Sequence, residues 1–217
     1  MKNKQKWFVA LCLFFLMKKT KIYIDEAGRW PLAGPLYVGL VVPLVPRKAA
    51  RKKYFKDSKK LSESQRERAF EEIQILSSKK HIIYSVWSVS NKEIDKRGVT
   101  KSINMAIQRA LKDIVSKINA PYMLVIDWNT DFKLSHDLGI ETQTIIKGDD
   151  KVIEISMASI IAKVSRDRVM MKIDKQHPVY QFAKHKWYGT KLHTDLIKKH
   201  GPSPVHRKLF LRKLLES

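Results

Sequence analysis

The chain has 217 residues, 44% of them hydrophobic, and carries a formal net charge of +22 from 43 Lys and Arg against 21 Asp and Glu. That length suits one domain with a sizeable core, and the hydrophobic share excludes wholesale disorder. The single Cys12 excludes an intrachain disulfide framework and a cysteine-based zinc site, which fits a reducing, cytoplasmic setting; the charge surplus points to a polyanion, nucleic acid ahead of a membrane surface.

Taken in chain order, Lys2, Lys4 and Lys6 precede an eleven-residue apolar run, Trp7 to Met17. The run is too short to span a bilayer, and no small-residue cleavage site follows it. Residues 1–17 read as an extension, with translation starting at Met17 or the segment dispensable; a membrane-associating leader is the alternative. No stable membrane association is expected. Next, Ile22-Tyr23-Ile24 delivers Asp25 and Glu26 to a strand end, and a Gly- and Pro-punctuated loop, Gly28-Arg29-Trp30-Pro31, follows. Leu36 to Leu44 is a second, β-branched strand. Eight basic residues stand against one acid, Asp57, between Arg47 and Lys60, which makes a strongly positive loop. Ser62 and Gln65 form a capping box that opens a helix to about Ser77, with Ala69, Phe70, Ile73 and Leu76 on one face.

Ile82 to Val89 reads as a strand. Thr100 is placed to cap a helix whose stripe runs through Ile103, Ile107, Ala110, Ile114 and Ile118. Tyr122 to Ile126 is a strand ending at Asp127, and Thr142 to Ile146 another, ending at Lys147-Gly148-Asp149. A helix from about Ile155 to Ile173 begins with small residues, and one more lies near Lys191 to Lys199. Strands interleaved with helices predict an α/β domain with a mixed sheet.

Acids sit where strands end. Asp25 and Glu26 close the first strand, Asp127 a later one, and Asp149 lies just past another. Functional crevices of α/β sheets lie at strand ends. If these strands are neighbours, four carboxylates converge, and such a cluster calls for cations: two divalent ions, Mg²⁺ or Mn²⁺ by ligand type. An acidic centre inside a basic protein is what a nuclease needs. Lys59, Lys60, Lys163 and Arg166 are candidate phosphate contacts, as are Ser159 and Thr190 for phosphate or sugar. His185, His193, His200 and His206 read as structural rather than as zinc ligands, and Asp57, Asp95 and Asp167 as partners of neighbouring bases.

The motifs Asp25-Glu26-Ala27-Gly28-Arg29, Asp57-Ser58-Lys59-Lys60-Leu61-Ser62, Glu93-Ile94-Asp95 and Leu124-Val125-Ile126-Asp127 occur in this order. After them come Lys147-Gly148-Asp149, Ala158 to Asp167, His185 to Thr190, and His200-Gly201-Pro202. Together they make residues 20–210 resemble the ribonuclease HII family. The resemblance implies a ribonuclease H-like fold, a five-stranded mixed sheet flanked by helices with a C-terminal helical extension. Residues 18–217 would form the catalytic domain, with the C-terminal helices from about 175, acting as a monomer.

The resemblance also implies cleavage of the RNA strand of RNA–DNA hybrids and cutting 5′ of ribonucleotides embedded in duplex DNA. The expected products are 5′-phosphate and 3′-hydroxyl ends. Asp25, Glu26, Asp127 and Asp149 match the metal-binding carboxylates, and Gly28-Arg29-Trp30 the loop that reads the ribose 2′-hydroxyl. Tyr188 matches the tyrosine that stacks on the adjacent deoxyribonucleotide. The competing readings are a non-catalytic nucleic-acid-binding protein and another two-metal nuclease on the same fold.

The departures from the family pattern share one letter. Trp30, Trp128 and Trp187 stand where the family has glycine, and Trp87 falls on a further such position; Leu209 replaces a usual serine. At glycine usage of about 7%, three such coincidences are roughly a 3-in-10,000 accident. The pattern is what a gene with UGA codons meaning glycine gives when UGA is read as tryptophan, so glycine is expected at 30, 128 and 187, with 87 and then 7 as further candidates. If the tryptophans are real, the enzyme is expected to be impaired. The codons at those positions decide.

Overall fold

A computed structural model of the chain describes residues 19–45, 55 and 58–215. The N-terminal extension, most of the basic run with Asp57, and the Lys59 side chain lie outside the described residues. Five strands form one sheet: β1 (Thr20–Ala27), β2 (Leu36–Pro43), β3 (Ile82–Val89), β4 (Tyr122–Ile126) and β5 (Thr142–Thr144), in the spatial order β3-β2-β1-β4-β5. β1, β2 and β3 pair antiparallel, whereas β4 and β5 run parallel to β1. β5 stops at Thr144, two residues short of the expected Ile146, because Ile145 turns to bond the Ile126 carbonyl.

Between the strands lie α1 (Glu63–Ser78), α2 (Asn91–Arg97), α3 (Val99–Val115), α4 (Leu134–Leu138), α5 (Gly148–Lys151) and the long α6 (Ile153–Gln176). The Ser62–Gln65 capping box is present on α1, and an equivalent Ser90–Glu93 box opens α2, which the sequence reading passed over. Thr100 caps nothing. Gly98, at φ 78°, both ends α2 and starts α3, because a helix-to-helix corner needs a backbone shape that glycine adopts without steric cost.

Alternation along the strands sends side chains to two cores. Ile22, Ile24, Leu124 and Ile126 join the α3 stripe on one face; Val41 and Ile82 meet α1 and α6 on the other. Gly39, opposite Asp25 in the β1–β2 ladder, lets α6 lie flush on the sheet: a Cβ there would come within 2.3 Å of the Ala158 carbonyl oxygen. A third core joins the loop after β1 to α7 (Phe182–His185), α8 (Lys191–His200) and α9 (Lys208–Leu215), around Ala33, Met170, Phe182 and Trp187.

Candidate active site

The parallel β1–β4 register pairs Ile24 with Ile126, so Asp25 and Asp127 emerge side by side at the carboxyl ends of adjacent strands. Asp127 is fixed by the start of α5, accepting from the Gly148 amide at 2.7 Å and the Asp149 amide at 3.2 Å. A Cβ at Gly148 would lie 2.5 Å from the tip of the Ile155 side chain, which would have to shift to make room. Asp25 faces α6, where Ser159 hydrogen-bonds it and shares a 2.8 Å bond with Ser58. One carboxylate oxygen from each of Asp25, Asp127 and Asp149 lies within 4.8 Å of the other two, and all three residues are less than a tenth exposed.

Glu26 stands one step aside. Strand alternation turns it to the opposite face from Asp25, where it lies 3.9 Å from the Arg29 guanidinium. Burial, Glu26 and Asp127, in that order, hold the Asp25 carboxyl well above its ordinary range. Burial also raises Glu26 to about 7, against the pull of Arg29. Carboxyls pressed together out of water are an incomplete arrangement: they bind protons or a cation. The donors are all oxygens, with no histidine or cysteine among the described residues of the cluster, which fits a hard divalent ion.

The cluster opens into a cleft of about 510 Å³. The structure brings Gly28, Arg29, Trp30, Lys163, Arg166 and Tyr188 to this cleft with the four acids. Lys60 lies apart from it, paired with Asp150 on α5. Lys163 spends its charge on both oxygens of Asp167, at 2.9 and 3.0 Å, while Arg66 approaches the same carboxylate at 3.7 Å. Arg166 is buried beneath the loop rather than displayed: Nε donates to the Pro35 carbonyl at 3.0 Å and Nη2 to Ala33 at 3.3 Å. Asp95 serves a helix as well as a base: it accepts from the Lys208 and Leu209 amides at the start of α9, and its charge favours the nearby Arg207 guanidinium.

Sequence reasoning passed over Ser58, Asn129 and Lys147 at the cleft. Lys147 has a left-handed backbone (φ 55°) immediately before Gly148, where α5 begins. The histidines form a buried cluster, with His185 stacked on His193 at 4.1 Å and His193 Nε2 3.0 Å from His206 Nε2.

The four tryptophans differ. Trp187 alone among them has a left-handed backbone (φ 69°); it is 2% exposed, and its indole Nε1 has no hydrogen-bond partner. Its backbone is one that glycine favours. Trp30 and Trp128 have ordinary φ and flank the Arg29 guanidinium at 5.0 and 4.3 Å, with Trp30 61% exposed. Trp87 sits within β3 and donates to Asp113. A positive φ, which glycine adopts without steric cost, is thus present at 187 and absent at 30, 87 and 128, and the codons still decide which residue is native.

A mixed sheet in this strand order, flanked by helices and carrying acids at its central strand ends, defines a ribonuclease H-like hydrolase. The family model for ribonuclease HII matches residues 22–213. The ribonuclease HII of Caldicellulosiruptor bescii is 42% identical over 192 residues, covering 88% of this chain and 86% of its own. That of Fusobacterium nucleatum is 41% identical over 209 residues, covering 95% and 93%. Among solved structures, the ribonuclease HII of Archaeoglobus fulgidus, determined in complex with PCNA, superposes with a TM-score of 0.67 at 27% identity, covering 89% of this chain and 96% of that one. The chain belongs to the ribonuclease HII family, and is thus an endoribonuclease.

Proposed function

We propose that this chain hydrolyses the RNA strand of RNA–DNA hybrids and cuts on the 5′ side of single ribonucleotides embedded in duplex DNA, leaving 5′-phosphate and 3′-hydroxyl ends. The observation that carries the reading is the carboxylate triad, Asp25, Asp127 and Asp149, at the floor of a cleft rimmed by the Gly28–Arg29 loop and Tyr188. Family membership supports the substrate class. The triad, with Glu26 beside it, would hold two Mg²⁺ or Mn²⁺ ions. When bound, such ions activate a water and stabilise the leaving oxygen of a phosphodiester.

The chain's own residues supply the rest. Asp25 and Asp127 are held rigid by backbone amides and by Ser159, so the ligand oxygens are in place before substrate arrives. The loop at Gly28, with its φ of 88°, brings main chain to the cleft, which suits reading a 2′-hydroxyl, the group that separates RNA from DNA. Tyr188, 48% exposed at the rim, offers a ring for stacking on a neighbouring base or sugar. All these groups come from one chain, so the proposed site needs no second copy, and we take the monomer as the working state. Among the described residues no helix is long and apolar enough to cross a membrane, and the single cysteine supports a cytoplasmic setting.

The test is a labelled duplex with one ribonucleotide, incubated with Mg²⁺ or Mn²⁺, with both product ends mapped. Cleavage 5′ of the ribonucleotide that disappears with chelator and in Asp127→Asn is the expected result. Tight binding without cleavage, persisting after Trp30→Gly, Trp128→Gly and Trp187→Gly are combined, would overturn the hydrolytic reading.

A further inference from the structure

The loop after β1, residues 28–35, is held by its carbonyls. Arg207 is fully buried, and its planar fork reaches both ends of the loop: Nη2 donates to the Gly28 carbonyl at 2.6 Å, Nη1 to Arg29 at 3.0 Å, and Nε to Gly34 at 2.9 Å. Arg166 adds the Ala33 and Pro35 carbonyls from α6. Among the described residues neither arginine has a carboxylate within salt-bridge distance; beside ring contacts of Arg166 with Trp187 and of Arg207 with Phe210, the hydrogen bonds of both guanidiniums go to loop carbonyls. The loop has no slack on the other side, since a Cβ at Gly28 would lie 2.2 Å from Arg166 Nε, and one at Gly34 2.2 Å from Met170 Sδ.

Arg207 is itself anchored. Its amide donates to the Leu32 carbonyl at 2.8 Å, and the Gly34 amide donates to Val205 at 2.9 Å. His206, between them, sits in a buried chain of hydrogen bonds. Its Nδ1 accepts from the Ser203 amide at 2.9 Å, which leaves the Nε2 proton to donate to His193 Nε2 at 3.0 Å. His193 Nδ1–H then donates to the Tyr188 carbonyl at 2.9 Å. The segment that presents Arg207 is thereby bonded to both the loop and the tyrosine turn.

We propose that Arg207 is a positioning residue for ribonucleotide recognition: by gathering the Gly28, Arg29 and Gly34 carbonyls it sets the main-chain shape that the 2′-hydroxyl meets. This rests on the functional reading above. A lysine cannot replace it, because an ammonium is a point charge whereas the guanidinium fork serves several carbonyls at fixed angles. The role concerns selectivity, not charge attraction, so general affinity for duplex DNA is left alone.

The experiment compares Arg207→Lys with the unmutated protein by fluorescence anisotropy in Ca²⁺, using a duplex with one ribonucleotide and the same duplex entirely in DNA. The preference for the ribonucleotide duplex is expected to fall about tenfold, the size of one lost hydrogen bond, while all-DNA affinity and its salt dependence hold. An Arg207→Lys protein that keeps the preference overturns the proposal. So does an unmutated protein without any preference, whether or not it cleaves. A protein that shows the preference and loses it in Arg207→Lys, yet never cleaves, supports the positioning role while the hydrolytic reading falls. If Arg207→Lys does not fold, amide exchange in the unmutated protein decides: the Leu32 and Gly34 amides are expected to be protected as long as those of β1, and exchange within seconds overturns the proposal.

Discussion

Two adjoining regions handle charge in opposite ways. At the ends of β1 and β4, carboxyls are packed together with no lysine or arginine among the described residues bonding Asp25 or Asp127, while Glu26 has Arg29 3.9 Å away. Under the loop that follows β1, two buried cations, Arg166 and Arg207, have their donors satisfied by main-chain carbonyls. The first region is unfinished without an external cation. The second draws its hydrogen bonds from the protein itself, with Arg29 Nε and Nη1 and Trp187 Nε1 the buried donors left over among the described residues. The contrast separates two tasks: a centre that must stay open to exchange metal and substrate, and a frame that is held by internal hydrogen bonds.

The largest break in that contrast is at the centre. Asp127→Asn keeps an oxygen for the Gly148 amide but removes the charge, and cleavage is expected to fall by about 10³-fold, as befits several kcal/mol of metal-borne stabilisation. The urea midpoint should change little or rise, since a buried negative charge is relieved. In the frame the pattern inverts. Arg207→Met leaves one buried and two part-buried carbonyls without their donor and should cost about 2–3 kcal/mol in urea unfolding. A loss under 1 kcal/mol would mean that the loop re-satisfies itself.

Acidity sharpens the difference. Glu26 is raised to about 7 when folded, against about 4.5 unfolded. The folded state therefore holds its proton more tightly, a stabilisation fully present below about pH 4.5 and lost as pH rises through about 7. Asp25 contributes with the same sign. Metal-free protein should be less stable at pH 8 than at pH 5, by on the order of 3 kcal/mol from Glu26, and Glu26→Gln should shrink the gap. Saturating Mn²⁺ should reverse it, because the ion binds the deprotonated acids. The smallest effect distinguishes the tryptophans. At 187 the φ of 69° favours Trp187→Gly over Trp187→Ala by about 1 kcal/mol, whereas at 30, where φ is ordinary, alanine should match or exceed glycine. Thermal melts of the four variants measure both differences.

The centre was legible in the sequence and the frame was not, for a physical reason. Asp25 and Asp127 follow apolar runs, so strand periodicity alone places them at strand ends, whereas Asp149 comes from the helix that follows β5 and is placed by the Lys147-Gly148-Asp149 motif. The sheet, α1 with its capping box, and most of α3 and α6 follow from the same periodicities. Arg207 gives no such signal, because a basic residue near the C-terminus of a chain with 43 Lys and Arg reads as surface charge. Its partners are carbonyls 173 to 179 residues away, and carbonyls leave no mark in a sequence. Arg166 does reach the cleft, but its hydrogen bonds to the Ala33 and Pro35 carbonyls left no mark in the sequence either. Thr100 looked like a cap because hydroxyls commonly are; Gly98 made the corner instead.

The central claim is that the triad holds divalent ions which hydrolyse RNA. Mn²⁺ binding followed by calorimetry, in the unmutated protein and in Asp127→Asn, tests it when paired with cleavage of the single-ribonucleotide duplex in the same samples. The account predicts saturable Mn²⁺ binding with proton release, cleavage that rises with occupancy, and loss of both in Asp127→Asn. Cleavage in the presence of chelator, or undiminished in Asp127→Asn, would contradict it.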